Sequence, residues 1–368
     1  MSLQPTPFRL AIWELPDRVS NQFLVLLRPG LDQAPLGGEP VSTVERVGRG
    51  RNSRVYRVSS RSGDYAAKFY FQKTADGRDR MQVEFDAVSF LWGQGVRRIA
   101  RPVRADAGRQ VALYEFIEGE TIESSSVSAR DLDQVVAFAG ELKQISTHHR
   151  AATIDPAAEA FFSVDGVIDN VQGRLWRLEA LNISAPGHED LRAFLREHFA
   201  PCFAKLRKRA EALRAPAELD PRHRTLSPSD FGFHNALRKS DGALVFLDFE
   251  YFGWDDPAKL LSDLLLHPMM GLTREQRARL ALGLDGLFGG DPGWRARVEA
   301  LYPLFGLKWC MIMLNEFLPS HIARNRFTER DSAEIEAVQA RQLGAAAAML
   351  ERIMGEKDGF PYWSAAIA

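Results

Sequence analysis

The spacing of apolar residues changes along the chain, and those changes constrain the fold more than any other feature. From Val41 to Ile117 most runs alternate as strands do. "STVERVGRGRNSRVYRVSS", "DYAAKFYF", "ARPVRAD" and "QVALYEFIEG" are of this kind, and Arg-Ser-Gly-Asp marks a turn between the first two. One segment there differs. In "RDRMQVEFDAVSFLWGQG", Met81, Phe85, Val88 and Leu91 recur at helical spacing, with Gly95 beyond the end. After Gly119 helical spacing takes over. Ser128 and Asp131 form a capping-box start, and Leu132, Val135, Val136, Ala139, Leu142 and Ile145 follow on one face. Strand character returns once, in "GALVFLDFEYF", before three further helical stretches. The expected class is α+β in two lobes. Residues 1–40 are an unassigned extension, 41–117 a small antiparallel β lobe with one helix, and 118–368 a larger, mostly helical lobe.

Charge and composition exclude several functions. A formal net charge of −1 offers no overall field for nucleic acid or an anionic membrane, so neither is expected as a partner. The richest basic run, Lys205 to Arg209, sits in a helical pattern and reads as a solvated face. Two distant cysteines, Cys202 and Cys310, make no disulfide framework, and a reducing cytoplasm fits. Arg9 and Glu14 flank only a short apolar run, so no signal peptide is expected. Leu301 to Leu318 is interrupted by Lys308, Asn315 and Glu316, too often for a membrane span.

Three motifs carry chemistry. "VGRGRNSRVYRV" places Gly48, Gly50 and Ser53 at a strand–turn–strand junction. A plain hairpin turn is one reading. A glycine-rich hairpin whose backbone N–H groups approach phosphates is the other. Lys68 lies in the next strand, and Glu84 in the helix after it. A lysine so placed can bridge nucleotide phosphates while a helix carboxylate fixes its ammonium, although Asp79 and Asp86 lie close to Glu84. "LSPSDFGFHNALRKSDGALVFLDFEYFGWDDPAK" then carries Asp230, Asn235 and Asp248. Phosphoryl transfer needs a carboxylate for the acceptor's proton. It also needs oxygen ligands for Mg²⁺, and a carboxamide plus a carboxylate suffice.

This order resembles the protein-kinase-like superfamily, and more narrowly the aminoglycoside phosphotransferase and choline kinase families. The likeness spans roughly residues 41 to 318 and is strongest at 226 to 263, where "FLDFEYFGWDDPAK" looks like the family's metal-aspartate segment. The resemblance implies a two-lobed protein-kinase-like fold. It implies ATP as donor, with GTP as the alternative, and Mg²⁺ held by Asn235 and Asp248. Asp230 would be the base, Lys68 the α/β-phosphate ligand and Glu84 its partner. The backbone of Glu115 and Ile117, in "LYEFIEG", would meet the adenine. Pro228-Ser229 stand where the family has a histidine before the base, and Gly232 stands where it has another after it. Asp263 stands near the family's aspartate beyond Asp-Pro.

The expected activity is transfer of the γ-phosphoryl group to a hydroxyl of a small molecule. An aminoglycoside, an amino alcohol such as choline, or a sugar-like acceptor all fit that description. Glu250, Asp255, Asp256, Asp263 and Glu316, with Trp254, would line an acceptor pocket, which leans toward a cationic acceptor. The competing class is a nucleotide-binding pseudokinase with a regulatory role. A protein kinase fits less well, because the seven residues between Asp248 and Asp256 leave no room for an activation segment. The sequence does not fix the oligomeric state.

Overall fold

The structure is a computed structural model. It describes residues 9–10, 43–48, 53–70, 77–181, 187–213, 218–322 and 332–363. The tip of the glycine-rich hairpin, with Gly50, lies outside them. The chain divides into two compact units. One holds Met1–Glu123 together with Phe233–Gly253, and the other holds Ser124–Gly232 and Trp254–Ala368.

The first unit is built on a six-stranded antiparallel sheet. Its strands are β1 (Arg9–Leu10), β2 (Thr43–Gly48), β3 (Ser53–Ser60), β4 (Gly63–Tyr70), β5 (Pro102–Asp106) and β6 (Val111–Glu115), ordered β1-β2-β3-β4-β6-β5. Thus part of the unassigned N-terminal extension is a strand: Arg9 pairs with Glu45 and Leu10 with Val44. Side chains alternate across a strand, which decides the rest. Tyr56, Val58, Tyr65, Ala67 and Leu113 gather with Val44 in one apolar cluster. Lys68 and Tyr70, out of phase with Tyr65 and Ala67, take the other face. Register sets Lys68 opposite Val55 on one side and Ala112 on the other.

Helix α1 (Arg80–Gly93) lies between β4 and β5 in sequence. Asp79 caps it by accepting the Gln82 N–H, and Gly95 follows with φ +91, a conformation glycine adopts without strain. This unit also takes in the hairpin Ala236–Arg238/Leu244–Phe246. That hairpin pairs with Glu120–Thr121, and Phe246 bridges Ile99. Gly119 makes the close approach: a β-carbon there would stand 3.0 Å from Leu237 and 3.1 Å from the Arg238 carbonyl.

The second unit is helical. It contains α2 (Ala129–Ile145), α3 (Val164–Glu179), α4 (His188–Ala193), α5 (Ala200–Ala212), α6 (Pro257–Leu266), α7 (Arg274–Phe288), α8 (Trp294–Met313) and α9 (Ser332–Gly355). Ser128 and Asp131 cap α2 reciprocally, as their spacing predicts. Helix α4 runs on into α5 through a π-helical turn, Phe194–Phe199. Lys205, Arg207 and Lys208 are exposed on α5, while Leu206 and Ala210 are buried, so the basic run is a solvated face. Helix α8 is the central rod. Three-quarters of its residues are buried, and Gly306 lets Ile353 of α9 come within 2.4 Å of where a β-carbon would be. No helix among the described residues is long and apolar enough to cross a membrane.

Candidate active site

In the sheet unit, Lys68 is buried and its Nζ lies 2.6 Å from Glu84 Oε2 and 2.7 Å from Asp248 Oδ1. Three elements meet here: β4 supplies the lysine, α1 the glutamate, and the segment after the hairpin the aspartate. Asp79 and Asp86 do not compete for the lysine. The first caps α1, and the second accepts from the Gln82 side chain. Burial opposes the charge of Lys68, but Asp248, Glu84 and Glu250 outweigh it and hold its pKa above the ordinary lysine value. Burial lifts Glu84 to about 7 against the pull of Lys68, and the Asp248 charge adds to the lift. Tyr70, beneath the ammonium at 5.0 Å, hydrogen-bonds its neighbour Tyr114 at 3.2 Å.

Asp248 has φ +67, a left-handed conformation that costs a non-glycine residue roughly 1 kcal/mol or more and clusters at functional sites. Its side chain is 36% exposed, whereas that of Glu84 is 6% exposed. Asn235 sits on the opposite arm of the same hairpin, its carbonyl accepting the Leu247 N–H at 2.8 Å. Oxygens of Glu84, Asp248 and Glu250 all lie within 4.8 Å of one another. Carboxylates, together with a carboxamide such as that of Asn235, are the donor types that Mg²⁺ accepts. Glu250 is buried and bonded to Arg80 at 2.9 Å. Ser53 is buried, and Gly48 opens the bulged end of β2 opposite Val55. At the end of β6 the Glu115 N–H donates to the Arg101 carbonyl, so that group is already used.

In the helical unit, Asp230 follows Ser229, which has φ +68. Its carboxylate is 36% exposed and lies 3.6 Å from His267 Nε2. The expected acidic lining is internal here. Asp255 is fully buried against Lys259 at 2.7 Å, and burial pushes its carboxyl up to about 6. Asp256 caps α6 through the Ala258 N–H and pairs with Arg297 at 3.2 Å. Asp263 accepts from Lys259 and from the Trp309 indole. Glu316 is buried, and its carbonyl accepts from Gln339. Trp254 donates its indole N–H to the Ala151 carbonyl, a structural bond. The carboxylates of Asp255, Asp256 and Asp263 are paired with cations where they sit, so an open acidic face for a cation does not follow from them.

Lys259 and His267 escape a reading by motif. A signal for the lysine exists: Asp255, Lys259 and Asp263 are spaced i, i+4, i+8, one face of a helix. Glu159, whose side chain is 44% exposed, pairs with the buried Arg174 and Lys308 in a third charged group without a motif. Burial works against the Glu159 charge, but the two cations hold its carboxyl down at about 2.

The model of the phosphotransferase enzyme family, APH, matches residues 43–299, well over half of the chain. No curated protein matches the sequence. Among solved structures, a spectinomycin phosphotransferase in complex with ADP and spectinomycin matches with a TM-score of 0.60 at 12% identity, over 85% of this chain and 94% of that one. The choline kinase LicA from Streptococcus pneumoniae matches at 0.54 and 16% identity, over 85% and 94%. A choline/ethanolamine kinase family protein from Mesorhizobium loti matches at 0.57 and 18%, over 93% and 100%. At these identities the likeness is one of fold, and it is the kinase-like fold expected from the sequence.

Proposed function

Because the chain belongs to the phosphotransferase enzyme family, we propose that it moves the γ-phosphoryl group of ATP onto a hydroxyl of a small molecule. One observation carries the reading. A buried lysine of the sheet unit is clamped by a helix glutamate and by a half-exposed aspartate in a strained backbone. Ammonium and carboxylates so arranged suit nucleotide phosphates and their metal ion.

In this reading Lys68 binds the α- and β-phosphates and Glu84 keeps its ammonium in place. Asp248 and Asn235 would hold Mg²⁺, which when bound neutralises phosphate charge. Backbone N–H groups of the Gly48–Ser53 hairpin cover the phosphates. The Glu115 carbonyl and the Ile117 backbone meet the adenine edge, since the Glu115 N–H is committed to Arg101. Asp230 takes the proton of the acceptor hydroxyl. The acceptor class draws on the matched structures, whose names include spectinomycin, choline and ethanolamine. The neutralised acids of the helical unit give no added reason for a cationic one.

The test is consumption of Mg-ATP across amino alcohols, sugars and aminoglycosides, with Asp230→Ala alongside. Phosphorylated product from wild type, lost by about two to four orders of magnitude in the variant, supports the reading. Equal silence of both proteins, each still binding nucleotide, would instead indicate a regulatory nucleotide-binding protein.

A further inference from the structure

The turn that carries Asp230 is held by a buried lysine. Ser229, at φ +68, occupies a region that a serine keeps only when its surroundings hold it there. Its N–H donates to Ser227 Oγ at 3.0 Å, and its hydroxyl donates to the Ala158 carbonyl at 3.0 Å. That hydroxyl also accepts from Lys259 Nζ at 3.0 Å. Lys259 is 1% exposed and bonds Asp255 at 2.7 Å and Asp263 at 3.0 Å. An ammonium has three N–H donors, and here three acceptors take them. A lysine so saturated cannot swing, and its anchor on Ser229 is rigid.

The contacts continue. Asp263 accepts from the Trp309 indole at 2.9 Å, and Trp309 stands edge-on to the His267 ring at 4.5 Å. His267 Nδ1 accepts the Met269 N–H at 3.1 Å, which leaves the neutral ring's proton on Nε2, 3.6 Å from Asp230. The path therefore leaves Ser229 and returns to its neighbour Asp230. Helix α6 supplies Lys259 in its first turn and Asp263 in its last, and His267 is its C-cap.

We propose that Lys259 is a positioning residue for Asp230. Through Ser229 it fixes the strained turn on one side of the carboxylate, while His267 bounds the other. The proposal rests on Asp230 serving as the base. It gives Pro228-Ser229 a function as part of a different support, one in which a lysine from α6 holds the turn.

The experiment uses Ser229→Gly in the full chain, because Lys259→Met could simply unfold the protein. Glycine is relaxed at this φ, and Lys259 keeps both aspartates, so the fold should hold. The expected result is an unchanged or raised melting temperature and unchanged Mg-ATP affinity. Turnover of Mg-ATP, on an acceptor from the screen or on water, falls about 10- to 100-fold with KM for ATP unchanged. Lys259→Arg, which keeps the charge but not the compact three-donor geometry, should lose turnover in the same way. Wild-type turnover in Ser229→Gly, with Asp230→Ala inactive, overturns the proposal alone. If Asp230→Ala matches wild type, active or silent, the reading of Asp230 as base fails and takes the proposal with it.

Discussion

Two charged clusters, one in each unit, are made of the same residue types and close differently. In the sheet unit Lys68 makes two carboxylate bonds among the described residues, one to a side chain that is 36% exposed. Counting Arg80 and Glu250, three carboxylates there face two cations. In the helical unit Lys259 fills all three donors, and the side chain of Asp255 is 0% exposed. Each cluster has one more carboxylate than cations and touches a left-handed residue, so the exposed edge is what separates them: a carboxylate that reaches water can take a cationic ligand. One that is dry and saturated can only hold structure in place. The comparison therefore supports the proposals of ligand chemistry at the first and positioning at the second.

The comparison breaks most visibly at Asp248. Asp248→Asn keeps the shape but removes the charge, so turnover should fall about 10²- to 10³-fold or further while the fold persists. Steady-state Mg-ATP consumption and circular dichroism measure the two halves of that statement. Lysine removal gives the next contrast. Lys259→Met strands Asp255 and Asp263 in a dry interior and should cost about 3–5 kcal/mol in denaturant unfolding. Lys68→Met should cost clearly less, because Asp248 at 36% exposure reaches water, whereas Asp255 and Asp263 are buried. Equal losses would show that the clusters do not differ in the way described.

The smallest effect is one of pH. Glu159 is ordinarily near 4.5 and is held at about 2 in the fold. Folding thus favours its charged form. The stability it contributes is present above 4.5 and is lost as pH falls through about 2. The difference in unfolding free energy between wild type and Glu159→Gln should shrink across that window. A difference independent of pH there would contradict the pairing with Lys308 and Arg174.

Local signals made much of this legible. Gly95 and the Ser128–Asp131 pair mark helix ends through bonds made within a few residues, so sequence is enough to place them. The alternation that sets Lys68 out of phase with Tyr65 and Ala67 is equally local. Long-range pairing was not legible. The hairpin Ala236–Arg238/Leu244–Phe246 reads as part of a helical lobe, yet it pairs with Glu120–Thr121 and groups with the sheet. For Asp255, Asp256, Asp263 and Glu316 the sequence shows charge but not its partner. Whether an acid lines a pocket or neutralises a buried lysine depends on which residue folding brings beside it.

The central claim is that the open cluster around Lys68 takes Mg-ATP and the closed cluster around Lys259 does not. Calorimetric titration of Mg-ATP into wild type, Lys68→Ala and Ser229→Gly tests it most directly. The account expects saturable binding to wild type and to Ser229→Gly with the same affinity. It expects a loss of at least about tenfold in Lys68→Ala, the scale of one charge-assisted bond. No binding to wild type up to millimolar nucleotide, or equal affinity in wild type and Lys68→Ala, would contradict it.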